Sequence, residues 1–228
     1  MKTSKALAVL LAAAAALTLL TGAIAAPILC RPFYYAHIGP LELEARTGLT
    51  QEEIKTAFDE MLDYCLGRTD TFSTGVLQWS ESGKSHFTDV RFLFLLDLWV
   101  LAACAALLAG LGFLAWRGRV RPAPLLGRGF GFWAGSGLAA VFLLIGALAA
   151  LDFDRAFVVF HALFFPGKDN WLFDPARDEI INILPQAYFR NCAILVLVLL
   201  VLGCAVLIAA DLRRSRGRGK NLHKFEKT

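Results

Sequence analysis

Cys192-Ala193-Ile194-Leu195-Val196-Leu197-Val198-Leu199-Leu200-Val201-Leu202-Gly203-Cys204-Ala205-Val206-Leu207-Ile208-Ala209-Ala210 is nineteen residues without a charged side chain. As a helix it would extend about 28 Å, close to the roughly 30 Å of a bilayer's hydrocarbon core. Three further stretches have the same character: Ala6–Leu29, Phe92–Trp116 and Phe130–Leu151. Only the second carries a charge, Asp97. Composition agrees, with 57% of the 228 residues apolar and 18% charged, against about 45–50% and about 25% in soluble domains. A cytosolic globular enzyme, a disordered regulator and a nucleic-acid module are excluded. The expected fold is an all-α integral membrane protein, residues 1–228 forming one membrane domain. Its four transmembrane helices lie at about 6–29, 92–116, 130–151 and 187–210, the last entered through Pro185.

The basic residues orient these helices. Lys2 and Lys5 precede the first, Arg117, Arg119, Arg121 and Arg128 fill the second connection, and seven Lys or Arg follow the fourth. Those segments hold only two acids, Asp211 and Glu226. Lys and Arg near span ends resist translocation, so 1–5, 117–129 and 211–228 are expected to be cytoplasmic, and 30–91 and 152–186 extracytoplasmic. The net charge of +4 therefore reports topology. The tail Arg213-Arg214-Ser215-Arg216 reads as a stop-transfer flank, not a polyanion site. Ala23-Ile24-Ala25 resembles a signal-peptide cleavage site, but the apolar stretch continues to Leu29, beyond a signal core of about 7–15 residues; an uncleaved helix is expected. A Cys30–Cys65 bridge is chemically allowed in an oxidising compartment. No CxxC or paired-histidine cluster calls for zinc, and no metal is expected.

Both external segments contain apolar helices too short to cross. In the first, Thr50-Gln51-Glu52-Glu53 is a capping box, followed by Ile54, Phe58, Met61, Leu62 and Cys65 at helical spacing until Gly67. This amphipathic helix lies either on the outer leaflet or as a lid on its own protein. In the second, Phe157, Phe160, Phe164 and Phe165 surround His161 in a run that suits a re-entrant or interfacial helix. Asp154 is its expected N-cap and Pro166-Gly167 its end. Asp174-Pro175 then reads as N-cap and first residue of a short helix carrying Ile180, Ile181 and Leu184. Trp79, Trp171 and Tyr188 suit the aromatic belt of a membrane surface.

Two histidines stand out. His86 and Asp89, at i and i+3, share a helix face, where the carboxylate can orient or charge-support the imidazole; a plain cap and interface anchor is the other reading. His161 among phenylalanines is either a packed, hydrogen-bonded core residue or a catalyst. A second external histidine near the membrane raises the catalytic reading of both.

The two segments Trp79-Ser80-Glu81 through His86-Phe87-Thr88-Asp89-Val90, and Phe160-His161-Ala162-Leu163-Phe164-Phe165 through Trp171-Leu172-Phe173-Asp174-Pro175, Asp178 and Leu184-Pro185, resemble the bacterial lipoprotein intramolecular transacylase family, Lit. Family members often carry an acid three residues before the first histidine; this chain has Gly83 there, and Glu81 is the candidate for that role. The resemblance implies that the sn-2 acyl chain of a diacylated lipoprotein's diacylglyceryl-cysteine moves to the α-amine of the same cysteine. The product is an N-acyl lyso-form lipoprotein, made in a bacterial cell membrane at the outer leaflet. It implies His86 and His161 as the catalytic pair, with no cofactor. Asp89, Glu81, Arg91, Tyr188 and Arg190 are supporting candidates. Phe157, Phe160, Phe164, Phe165 and Trp171 are candidates for lining the acyl chains. Diacylated lipoproteins and membrane phospholipid are the expected partners.

Other classes make different demands. A non-catalytic scaffold or sensor binding lipid or peptide at the outer leaflet would tolerate loss of either histidine. A metal or proton carrier using His86, Asp89, Asp97 and His161 would need ligands deep in several spans, and three of the four spans carry no acid or histidine. The absence of a G-x-S-x-G elbow argues against a serine hydrolase.

Overall fold

The computed structural model describes residues 3–225, and all regular structure among them is helical. The helices are α1 (Lys5–Leu29), α2 (Arg31–Ile38), α3 (Leu43–Thr47), α4 (Gln51–Cys65), α5 (Glu81–Trp116), α6 (Phe130–Leu151), α7 (Phe153–Phe164), α8 (Ile180–Ile183) and α9 (Gln186–Phe225). Four of them, α1, α5, α6 and α9, are long and apolar enough to cross a membrane. Helices suit that role because each satisfies its own backbone hydrogen bonds. α5 begins eleven residues ahead of Phe92 and, at 36 residues, is about 54 Å long. The flanks expected to be cytoplasmic, 1–5 and 211–228, lie partly outside the described residues.

The chain forms two compact units. The first comprises residues up to Ala23, Trp99–Gly146 and the chain from Leu197. In it the Ser4 amide donates to the Arg121 carbonyl (3.1 Å) and the Ala123 amide to the Ser4 carbonyl (3.0 Å), tying the start of α1 to the basic connection. α6 and α9 approach backbone to backbone at Gly135, where a Cβ would lie 2.8 Å from the Cys204 carbonyl oxygen. Small residues permit such contacts between apolar helices.

The second unit, Ile24–Leu98 with Ala147–Val196, has the larger core. The capping box of α4 forms: Thr50 Oγ1 accepts from the Glu53 amide, and Glu53 reaches back to the Thr50 amide at 2.8 Å. The apolar side of α4 is buried, with Ile54 and Cys65 at 0% exposure and Phe58 and Leu62 nearly so. It packs on Tyr34 and Ile38 from α2, Leu43 from α3, and Ile180 and Ile183 from α8. Of the two readings of this helix, the lid packed on its own protein is the one observed. Burying each such large side chain contributes about 1.5–3 kcal/mol. Tyr34 stacks face to face on Phe58 (centroids 3.7 Å, 7°) and donates its hydroxyl to the Ile183 carbonyl at 2.9 Å. α2 and α3 are too short to show a periodicity of their own. Cys30 and Cys65 are free, the first exposed and the second buried.

Two expected caps shift. Asp152, not Asp154, caps α7, accepting from the Arg155 amide at 2.9 Å in an extended conformation that breaks the chain from α6. Asp154 instead accepts from Gln186 Nε2 at 2.7 Å. Asp174 closes a turn, its carboxylate accepting from the Ala176 amide (3.0 Å), and the helix bearing Ile180 starts only after Glu179. A single turn satisfies Asp174 before the chain reaches its buried apolar residues.

Candidate active site

The first turns of α5 are held by a strap from about 80 to 100 residues further on. Ser80 caps the helix, its hydroxyl accepting from the Gly83 amide at 3.0 Å. Ser80 is itself gripped by Asp178, which accepts its amide (2.8 Å) and its hydroxyl (3.0 Å). Beside it, the Gln78 amide donates to Glu179 Oε2 (2.8 Å) and the Glu179 amide to the Gln78 carbonyl (3.0 Å). Further along α5, Asp89 accepts from Lys168 Nζ (2.5 Å) and Asn170 Nδ2 (3.1 Å). The loop after α7, which has no periodicity in sequence, is thus tied to α5 and the residues before it by side chains at both of its ends.

This brings two distant histidines together. His86 on α5 and His161 on α7 are 6% and 7% exposed, with ring centroids 5.9 Å apart. Phe165 packs against both, 4.8 Å from His86 and 5.6 Å from His161. Phe173 closes the other side of His86 at 5.4 Å. Trp171 stacks on His161 (4.5 Å, 26°) and Phe157 lies 4.3 Å from the same ring.

Within α7, His161 Nδ1 lies 2.8 Å from the Phe157 carbonyl oxygen. A carbonyl only accepts, so Nδ1 carries the hydrogen and, in the neutral ring, Nε2 holds the free lone pair. Burial lowers the His161 pKa below its ordinary value, with the Phe157 carbonyl opposing. His86 precedes the apolar stretch that begins at Phe92; burial, seconded by the neighbouring His161, pushes its pKa down to about 4. Burial thus favours the neutral form of both rings, the form that has a lone pair with which to take a proton.

The other candidates divide. Asp89 makes its hydrogen bonds to Lys168 and Asn170 and none directly to His86. Phe157, Phe165 and Trp171 line the histidines, while Phe160 and Phe164 pair with each other at 4.6 Å on the half-exposed face of α7. Glu81 is exposed and 3.6 Å from Lys84. Arg91 donates to the Thr69 carbonyl (2.9 Å) and Asp70 (2.8 Å) and lies over the Tyr64 ring, which makes it a brace for the loop before α5. Tyr188 is buried among Tyr34, Phe58 and Phe33 in the α2–α4–α8 core. Arg190 is exposed on α9. Lys168 and Asn170 carried no sequence signal, since their partner is 79 and 81 residues away. Phe173 and Asp178 were visible only as letters of a motif.

The family described as lipoprotein intramolecular transacylase Lit matches residues 9–189. The chain belongs to the lipoprotein intramolecular transacylase family. It is therefore a membrane-integral acyltransferase of lipoprotein modification. The fold is similar to that of the membrane-integral Lit from Bacillus cereus, with a TM-score of 0.81 at 24% identity, covering 94% of this chain and 96% of that one. Two solved variants of the same Bacillus cereus protein, each with one histidine replaced, give the same likeness. The histidine-to-arginine form has a TM-score of 0.75 at 22% identity, covering 96% and 93%. The histidine-to-alanine form has 0.74 at 23%, covering 92% and 94%. No curated protein matches the chain. In Lit terms, the first and second sequence motifs that carried the resemblance are the first turns of α5 and the α7 helix with its strap.

Proposed function

We propose that the chain moves the sn-2 acyl chain of a lipoprotein's diacylglyceryl-cysteine to the α-amine of that same cysteine, using His86 and His161 as the proton-transfer pair. The observation that carries the reading is the pair itself: two buried imidazoles with ring centroids 5.9 Å apart within an aromatic enclosure. The neutral amine attacks the ester carbonyl, an N–C bond forms, and the C–O bond to glycerol breaks. One proton must leave nitrogen and one must reach the glycerol oxygen. His161 Nε2, with its lone pair free, takes the first, and His86 relays a proton to the departing oxygen. Each positioned transfer is worth about 10²–10⁴ in rate, and tethering amine and ester on one residue adds a large effective molarity. The reaction needs neither cofactor nor metal from this residue set.

The half-exposed Phe160 and Phe164 on the outer face of α7 suit contact with acyl chains and phospholipid. The charge pattern supports both termini inside and the site at the outer leaflet. An impermeant maleimide that labels the exposed Cys30 in intact cells tests that orientation.

The deciding experiment expresses the chain in a bacterium that makes only diacyl lipoproteins and fragments the N-terminal lipopeptide by mass spectrometry. Acyl migration conserves total mass, so the position of the chain is the readout. N-acylated cysteine on a lyso glycerol is expected from the native chain and not from His86→Ala or His161→Ala. Conversion by either variant overturns the two-histidine mechanism.

A further inference from the structure

Asn170 holds a place in the site for which its own hydrogen bonds do not account. Its amide nitrogen donates to Asp89 Oδ2 at 3.1 Å and to Ser85 Oγ at 3.4 Å. An ionised carboxylate only accepts, so the NH2 faces Asp89 and the carboxamide oxygen must face away from it. That oxygen is buried and has no hydrogen-bond partner. Nδ1 of His86 is also buried and also has none. The two side chains share one face of α5: Asn170 reaches Ser85 and Asp89, the residues one before and three after His86. An orphaned acceptor beside an orphaned ring nitrogen costs both groups their hydration unless the two pair.

Building on the two-histidine reading of this site, we infer that Asn170 is a positioning residue: its Oδ1 accepts the Nδ1–H of His86 and holds the ring in the tautomer with Nε2 unprotonated. Asp89 then acts on His86 through Asn170, with Lys168 anchoring the outer end of the chain at 2.5 Å from Asp89. His86 comes to match His161, whose Nδ1–H is committed to the Phe157 carbonyl. Both rings present a lone pair on Nε2, so one proton taken from the amine can be passed between them and returned to the glycerol oxygen. No net proton is gained or lost.

The test combines nitrogen NMR of full-length, ¹⁵N-histidine-labelled protein in lipid nanodiscs with lipoprotein turnover. In the native chain His86 should show a protonated Nδ1 and a bare Nε2. Asn170→Ala should release that preference and lower kcat about 10–100-fold, the size of effect found when the partner that orients a metal-binding histidine is removed, while leaving KM in place. Asn170→Leu, which keeps the volume, serves if the smaller variant fails to fold. The double variant Asp89→Asn with Asn170→Asp exchanges donor and acceptor ends yet keeps an oxygen facing His86, and should recover both tautomer and turnover. An unchanged His86 tautomer or unchanged kcat in Asn170→Ala or Asn170→Leu overturns the inference. A tautomer that responds in a protein whose native form transfers no acyl chain upholds it and overturns the proposed reaction instead.

Discussion

The carboxylate of Asp178 occupies the space that a side chain at Gly83 would need. A Cβ built there would overlap Asp178 Oδ1 and lie 2.8 Å from its Cγ and 3.2 Å from Phe173 Cε1. Asp178 is 5% exposed and pinned by two bonds to Ser80, so it cannot simply swing aside. Gly83→Ala is therefore expected to cost about 1–3 kcal/mol through overpacking, with part of the Ser80 cap lost as well. Because His86 lies one turn further on, transacylation should fall with the melting temperature. A variant with native melting behaviour would show that the strap yields freely.

Trp171 covers one face of His161 at 4.5 Å. Trp171→Ala opens that ring to water, so the His161 pKa should climb back toward its ordinary value and acyl transfer at neutral pH should drop, with Trp171→Phe intermediate. Titration of the His161 ring signal by NMR checks the first part and lipopeptide fragmentation the second.

The histidines also set a pH signature. His86 is held at about 4 in the folded protein, against 6.5 ordinarily, and His161 shifts in the same direction. As pH falls from 6.5 toward 4, the unfolded chain takes up protons that the folded one refuses, so stability declines through that window and is fully present above it. Thermal unfolding at steps across the window should show this slope, and His86→Phe should flatten it. The acid limb of activity should likewise lie below 6.5.

Phe58 and Tyr34 test the core of the second unit. Phe58→Ala removes a stack and a nearly fully buried ring, for an expected cost of about 3–5 kcal/mol. Tyr34→Phe leaves the Ile183 carbonyl without its hydroxyl donor, for about 1–3 kcal/mol. Denaturation of the purified protein in mild detergent measures both.

Phe160 and Phe164 make the opposite case. They are 47% and 51% exposed, and surface truncations usually stay within about 0.5 kcal/mol. Replacing both with Ala should leave the melting temperature in place while raising KM for diacylated lipoprotein; an unchanged KM would remove this face from the substrate path.

Much of the architecture was legible because its causes are local. An uncharged run of nineteen residues has to hide its backbone in lipid, and a helix does so alone, so α1, α6 and α9 could be read from single stretches. The α4 helix announced itself through Thr50, Glu53 and the spacing from Ile54 to Cys65. Its burial did not, since an apolar face reads the same whether it meets lipid or protein. The cap at Asp152 was missed because Asp152 and Asp154 both precede the same apolar run, and only the extended backbone at Asp152 distinguishes them.

The site lay on the other side of this divide. Residue types pointed to His86 and His161, because imidazole is the side chain suited to proton transfer near neutral pH. Their meeting, the place of Asp178 against Gly83 and the roles of Lys168 and Asn170 depend on contacts across about 75 to 100 residues, whereas the tautomer of His161 is set within α7 by the Phe157 carbonyl four residues back. Such pairings obey no periodicity: a hydrogen bond between Asp89 and Asn170 is written in two segments that carry no mark of each other until the chain has folded. Sequence by itself determined a four-helix membrane chain and singled out His86 and His161 among its four histidines. Tertiary structure alone decided that they meet and what encloses them, because burial and partner, not residue type, set a side chain's protonation and direction.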